Sequence, residues 1–106
     1  MPYEPRYFKP EEIIGLNEEL VAKLDIIRHE CGFPLYISSG FRPGDDGEHG
    51  KGNAVDIKTP DSWQRWKIVT AAIKHGIERI GIYNLHTHVG IDKTFPTPRI
   101  WWDTSK

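Results

Sequence analysis

Between Asn17 and Gly32 the apolar residues Leu20, Leu24, Ile27 and Cys31 return at the spacing of one helical face, and Val21 widens the stripe. Asn17 can cap this helix, Glu18 and Glu19 place negative charge in its first turn, and Gly32 follows as a left-handed terminator would. The period then changes to two. In "FPLYISSGFRPG", Leu35 and Ile37 alternate with Tyr36 and Ser38, predicting a short strand that ends near Gly40 and Pro43 and leaves Arg42 in a loop. From Asn53, "NAVDIKT" alternates again, with Val55 and Ile57 on one face and Ala54, Asp56 and Lys58 on the other. A second helix is expected in "TPDSWQRWKIVTAAIKHG": Thr59 caps it, Pro60 takes the first helical position and Gly76 lies past its end. Its mostly apolar face would be Trp63, Trp66, Val69, Thr70 and Ile73. "RIGIYNLHTHVGIDKT" alternates twice, through Ile80 and Ile82, then as His86, His88, Gly90 and Asp92 against Thr87, Val89 and Ile91. The proline-punctuated, aromatic tail reads as a strap over the core rather than another long element.

These elements predict one α+β domain spanning residues 1–106, in which a small, mainly antiparallel sheet packs helices on one face and presents a site on the other. Trp63, Trp66, Trp101 and Trp102 would fill the small core or rim the cleft. Fourteen Lys and Arg against fifteen Asp and Glu leave a formal charge of −1, so no summed field draws the molecule to nucleic acid or to anionic lipid. The N-terminus carries no apolar run of signal or anchor type. We therefore expect cytoplasmic synthesis, with release at lysis or association with a virion as routes outward, and a monomer. The only cysteine, Cys31, cannot form an internal disulfide or a thiolate cluster, so any metal here must use histidine and carboxylate.

Such donors fall near one another. His49 lies in the glycine-rich loop "GDDGEHGKGN", Asp56 is on the polar face of the next strand, and His86 and His88 share the polar face of a later one, about 6.6 Å apart. Taken singly, His49 is a solvated loop side chain, Asp56 a strand-edge acid and the histidine pair a wet sheet face. Together, His49, Asp56 and one of the two later histidines form the three-ligand set that a catalytic zinc needs, with a position left for water. His29 and His75, in the last turns of the two helices, read as structural partners of the helix dipoles.

The stretch "SSGFRPGDDGEHGKGNAVDI" resembles the signature of the M15 zinc peptidases: Ser-Gly-(aromatic)-Arg, a loop, then His-x-x-Gly-x-Ala-x-Asp. "RIGIYNLHTHVGI" and "RIWW" are similar to that family's closing His-x-His strand and terminal Arg-x-Trp, so the likeness runs from about Phe8 to Trp102. The resemblance implies a hedgehog/D-Ala-D-Ala peptidase-like fold and one zinc ion bound by His49, Asp56 and His88. It also implies that His86 sits beside the water the metal activates and that Arg42 faces the substrate carbonyl or carboxylate. Two positions depart from the pattern. Leu85 stands where an acid often precedes the last ligand, and Gly90 stands where the strand often ends in aspartate, with the acid displaced to Asp92. The candidates for general base are then His86, Glu48 and Asp92, with His86 first because it shares the ligand face; Asp45, Asp46 and Glu48 are expected to face solvent.

The function expected from the D-Ala-D-Ala carboxypeptidase and L-alanyl-D-glutamate endopeptidase group is hydrolysis of an amide bond in a peptidoglycan stem peptide, as in an endolysin. The alternatives are a non-catalytic zinc module on the same scaffold and a metal-dependent nuclease. The last is disfavoured by the neutral charge and by a strand where a nuclease motif needs a helix.

Overall fold

The computed structural model describes residues 4–103. Helix α1, Glu18–Cys31, forms as its pattern dictates: the Asn17 side chain accepts from the Glu19 amide, Gly32 ends the helix at φ 77°, and Leu20, Val21, Leu24, Ile27 and Cys31 are buried. Strands β1 (Ile37–Ser39) and β2 (Ala54–Lys58) precede helix α2 (Ser62–Lys74), and β3 (Arg79–Tyr83), β4 (His86–Gly90) and β5 (Arg99–Asp103) follow it. The sheet order is β1-β2-β4-β3-β5, antiparallel except that β5 runs parallel to β3. Both helices and the inward residues Val55, Ile57, Ile80, Ile82 and Val89 form one core. The opposite sheet face carries Asp56, His86 and His88. Among the described residues, no helix is long and apolar enough to cross a membrane.

Three local expectations are corrected. The cap of α2 is Asp61, which accepts from the Gln64 amide at 2.7 Å, whereas Thr59 is buried and bonds Thr87 Oγ1 at 2.9 Å and the Ile57 carbonyl at 2.9 Å. The buried face of α2 is Ile68, Ala71 and Ala72, while Trp63, Trp66 and Ile73 are 60%, 65% and 52% exposed. The physical reason is volume: two alanines let α2 lie close against the sheet, and indole rings have no room in that gap. The tail is not a loose strap either, since Arg99–Asp103 pairs with β3 in register, Gly81 opposite Trp101.

His29 and His75 do take structural partners, His29 Nδ1 at the Tyr7 hydroxyl and His75 Nε2 3.2 Å from Glu30. The N-terminal segment is fastened to α1 by the buried Asp25 carboxylate, which accepts from the Arg6 and Tyr7 amides at 2.7 and 3.0 Å.

Candidate metal centre and its cavity

Pairing register puts the donors side by side. Asp56 of β2 lies opposite His88 of β4, and Lys58 lies opposite His86, so the polar residues of both strands share one face. His49 reaches them from a short 3-10 turn, Glu48–Lys51, that stops at Gly52. Gly52 has φ 72°, and a Cβ there would lie 2.1 Å from the Gly15 carbonyl, so only glycine closes this turn against the start of α1. The Gly52 carbonyl accepts from the Asn17 amide at 2.8 Å.

One ligand atom from each of His49, Asp56 and His88 lies within 4.8 Å of the others, and all three residues are buried. His49 Nε2 is 3.4 Å and His88 Nδ1 is 3.2 Å from Asp56 Oδ1. The outward nitrogens are already bonded: His49 Nδ1 donates to the Gly40 carbonyl at 2.8 Å, and His88 Nε2 donates to Glu48 Oε1 at 2.7 Å. In a neutral imidazole, a donor N–H on one side leaves the lone pair on the other. With both rings neutral, two such lone pairs and a carboxylate converge on one point, an arrangement that a metal cation satisfies; without the metal, a proton on His88 Nδ1 takes its place and is donated to Asp56 Oδ1 at 3.2 Å. The donor set fits a zinc ion.

In the metal-free site the electrostatics keep Asp56 and Glu48 ionised and favour a proton on His88. Burial would raise the Asp56 carboxyl, but the hydrogen bonds from His49 and His88 outweigh it and hold the group well below the usual carboxylate range. Burial would lower His88, yet its bonds to Asp56 and Glu48 raise its pKa overall. Glu48 is likewise lowered against the opposing effect of burial, by His88 and by the charge of Arg79.

The remaining candidates separate clearly. His86 Nε2 is 3.8 Å from Asp56 Oδ1, and its ring stacks on Tyr83 with centroids 4.5 Å apart and planes 9° apart. Arg42 is an exposed loop residue whose Nε lies 3.5 Å from Asp45; it lines the same cavity, of about 390 Å³, as His49, Asp56, His86 and His88. Leu85 is 70% exposed, so that position brings nothing to the cluster. Asp92 lies beyond the end of β4, buried, and its carboxylate is occupied by Thr94, Asn53 and Lys51.

Glu48 corrects the expectation of a solvent-facing acid: it is 4% exposed and lies against His88. Sequence reasoning also missed Arg79 and Tyr83, and of its two alternatives for Trp101, core or cleft rim, the second holds. Alternation against Ile80 and Ile82 was the available signal for the first two, because it assigns Arg79, Gly81 and Tyr83 to the site face. Trp101 packs beside the His88 ring at 5.2 Å and donates from its indole N–H to the Tyr83 hydroxyl at 2.9 Å. Arg79 Nε stands 2.8 Å from Glu48 Oε1, a charge contact whose N–H is not aligned as a hydrogen bond, and Arg79 also donates to the Pro96 carbonyl at 2.7 Å.

A sheet face with two pre-bonded imidazoles and a carboxylate lining an open cavity defines an α+β protein with a donor set that could hold a metal ion. The model of the family described as Peptidase M15 matches residues 7–92, most of the chain, and the protein belongs to that family, whose members are zinc-dependent peptidases. No curated protein and no solved structure matches the chain.

Proposed function

We propose that the protein is a zinc peptidase that hydrolyses an amide bond in peptidoglycan stem peptides. The observation that carries this reading is the convergence of His49 Nε2, His88 Nδ1 and Asp56 Oδ1 in a chain of the M15 family, with His86 3.8 Å from the same carboxylate oxygen. The substrate class rests on the resemblance of the loop and His-x-His motifs to those of the wall-cleaving members. His49, Asp56 and His88 hold the ion, which when bound supplies a Lewis acid for the scissile carbonyl and lowers the pKa of a water to about 7.

The chain's own residues do the rest. His86, held by its stack on Tyr83, takes the proton from the attacking water as the C–O bond forms and passes it to the leaving amine as the C–N bond breaks. Glu48 and Asp92 are unsuited to that task because their oxygens are already engaged. Arg42 sets a fixed positive charge on the cavity wall, where the carbonyl oxygen gains negative charge or a terminal carboxylate docks. An adjoining apolar cavity of about 580 Å³, bounded by Phe33, Tyr36 and Leu85, meets the first at His86 and offers room for further residues of an extended peptide.

The exposed Leu85, in place of an acid, favours one competing reading, a zinc module without turnover. Digestion of purified peptidoglycan by the zinc-loaded protein, with fragments read by mass spectrometry, decides between them. Chelator-sensitive release of stem-peptide fragments is expected, and His86→Ala should lower the rate by roughly 10²–10⁴-fold with zinc still bound. No release from any wall type would refute the peptidase reading.

A further inference from the structure

We infer that Glu48 is the positioning residue that turns His88 toward the metal, and that position 90 is glycine because the Glu48 carboxylate occupies the space a side chain there would take. The inference rests on the metal-site reading above but not on turnover.

A histidine ligand presents one nitrogen, and the hydrogen bond made by the other nitrogen decides which. In His88 the outward bond is to Glu48 Oε1 at 2.7 Å, which leaves Nδ1 facing Asp56. The Glu48 carboxylate is itself held from two further sides. Oε2 accepts from the Asp92 amide at 3.3 Å, and Arg79 of β3 brings its charge within 2.8 Å of Oε1. Arg79 cannot easily turn away, because its guanidinium lies between the rings of Phe95 and Trp101, 5.1 and 4.9 Å from their centroids.

Gly90 supplies the second, independent observation. It lies two residues beyond His88 on the same face of β4, opposite both Ala54 and Arg79. A Cβ at Gly90 would sit 2.0 Å from Glu48 Oε2 and 2.6 Å from its Cδ. A side chain from the strand and the carboxylate from the loop therefore exclude each other. In this chain the loop supplies the acid, so the segment that carries the ligand His49 also aims the ligand His88.

A mutant cycle in zinc affinity, measured by competition with a chromophoric chelator, tests this. Glu48→Ala should weaken zinc binding by about 10- to 100-fold. Gly90→Ala should also weaken it, by displacing Glu48. The double variant should then bind zinc no more weakly than Glu48→Ala alone, since the second change has nothing left to displace. Additive losses, or a Glu48→Ala affinity within about threefold of the parent, would overturn the inference. In the zinc-loaded parent protein, NMR should also show a slowly exchanging Nε2–H proton on His88. Its absence would overturn the inference whether or not any variant folds. Zinc affinity is read without substrate, so a protein inert on every wall type but showing the non-additive cycle keeps this inference and loses the peptidase reading. An active protein with Glu48-independent zinc binding does the reverse.

Discussion

Zinc should displace one proton from His88, and the stabilisation it confers should therefore grow with pH. Both ring nitrogens of His88 face carboxylate oxygens, Asp56 Oδ1 at 3.2 Å and Glu48 Oε1 at 2.7 Å, and only the imidazolium can donate to both. Burial opposes that charge, but the two hydrogen bonds prevail and raise the His88 pKa above its ordinary 6.5. A histidine whose folded-state pKa is raised contributes stability that is fully present below about pH 6.5 and is lost as pH climbs through the folded value. The metal-free protein should accordingly melt at lower temperature as pH rises from 6.5 toward 8. Zinc needs Nδ1 bare, so below the His88 pKa each pH unit strengthens binding by about tenfold, or about 1.4 kcal/mol. At saturating zinc, the gap between metal-loaded and metal-free melting should widen by roughly 5–10 °C per pH unit for a domain of this size. Thermal melts with zinc or chelator from pH 6.5 to 8, with calorimetry in buffers of different ionisation enthalpy, measure the gap and the proton directly. A gap constant over that range with no proton released would refute the reasoning.

Three further outcomes bear on the fold. Ile68→Ala should cost about 2–5 kcal/mol in denaturant unfolding because Ile68 is fully buried, whereas Trp66→Ala on the same helix should stay within about 0.5 kcal/mol. Asp61→Ala removes the bond to the Gln64 amide and should cost about 1 kcal/mol, while Thr59→Ala should leave helix content unchanged because Thr59 is not the cap. Circular dichroism through the melt distinguishes these two. Acidification of the metal-free protein should begin to destabilise it as pH falls below about 4.5, because Asp56 and Glu48 both have lowered folded-state values.

Helix α1 was legible because its apolar stripe, cap and terminator agree, and the two alternating runs gave the faces of β2 and β4, from which the shared orientation of Asp56, His86 and His88 follows. Helix α2 misled because its heaviest apolar residues, Trp63, Trp66 and Ile73, form a stripe of their own. Which stripe faces the sheet depends on the space left by the neighbouring elements, a tertiary quantity that favoured Ala71 and Ala72. β5 was hidden by Pro96 and Pro98 just before it, which mark the start of an edge strand as readily as a coil. Glu48 lay beyond local pattern altogether. Its burial depends on a carboxylate from residue 48 meeting the gap at residue 90 and the charge at residue 79, three positions distant in sequence that only the sheet register assembles.

The junction of Gly52 with Asn17 ties the centre to the start of α1. Asn17 caps the helix with its side chain and donates its own amide to the Gly52 carbonyl, while its carbonyl accepts from the Val21 amide at 3.1 Å. With a fourth bond from its side-chain amide to Asn53 Oδ1 at 3.3 Å, Asn17 joins loop and first helical turn, so they should open to solvent as a single cooperative unit rather than fray separately. The amides of Glu19 and Val21 would then report, through their rate of deuterium uptake, on whether the ion-binding loop beside them is locked or breathing.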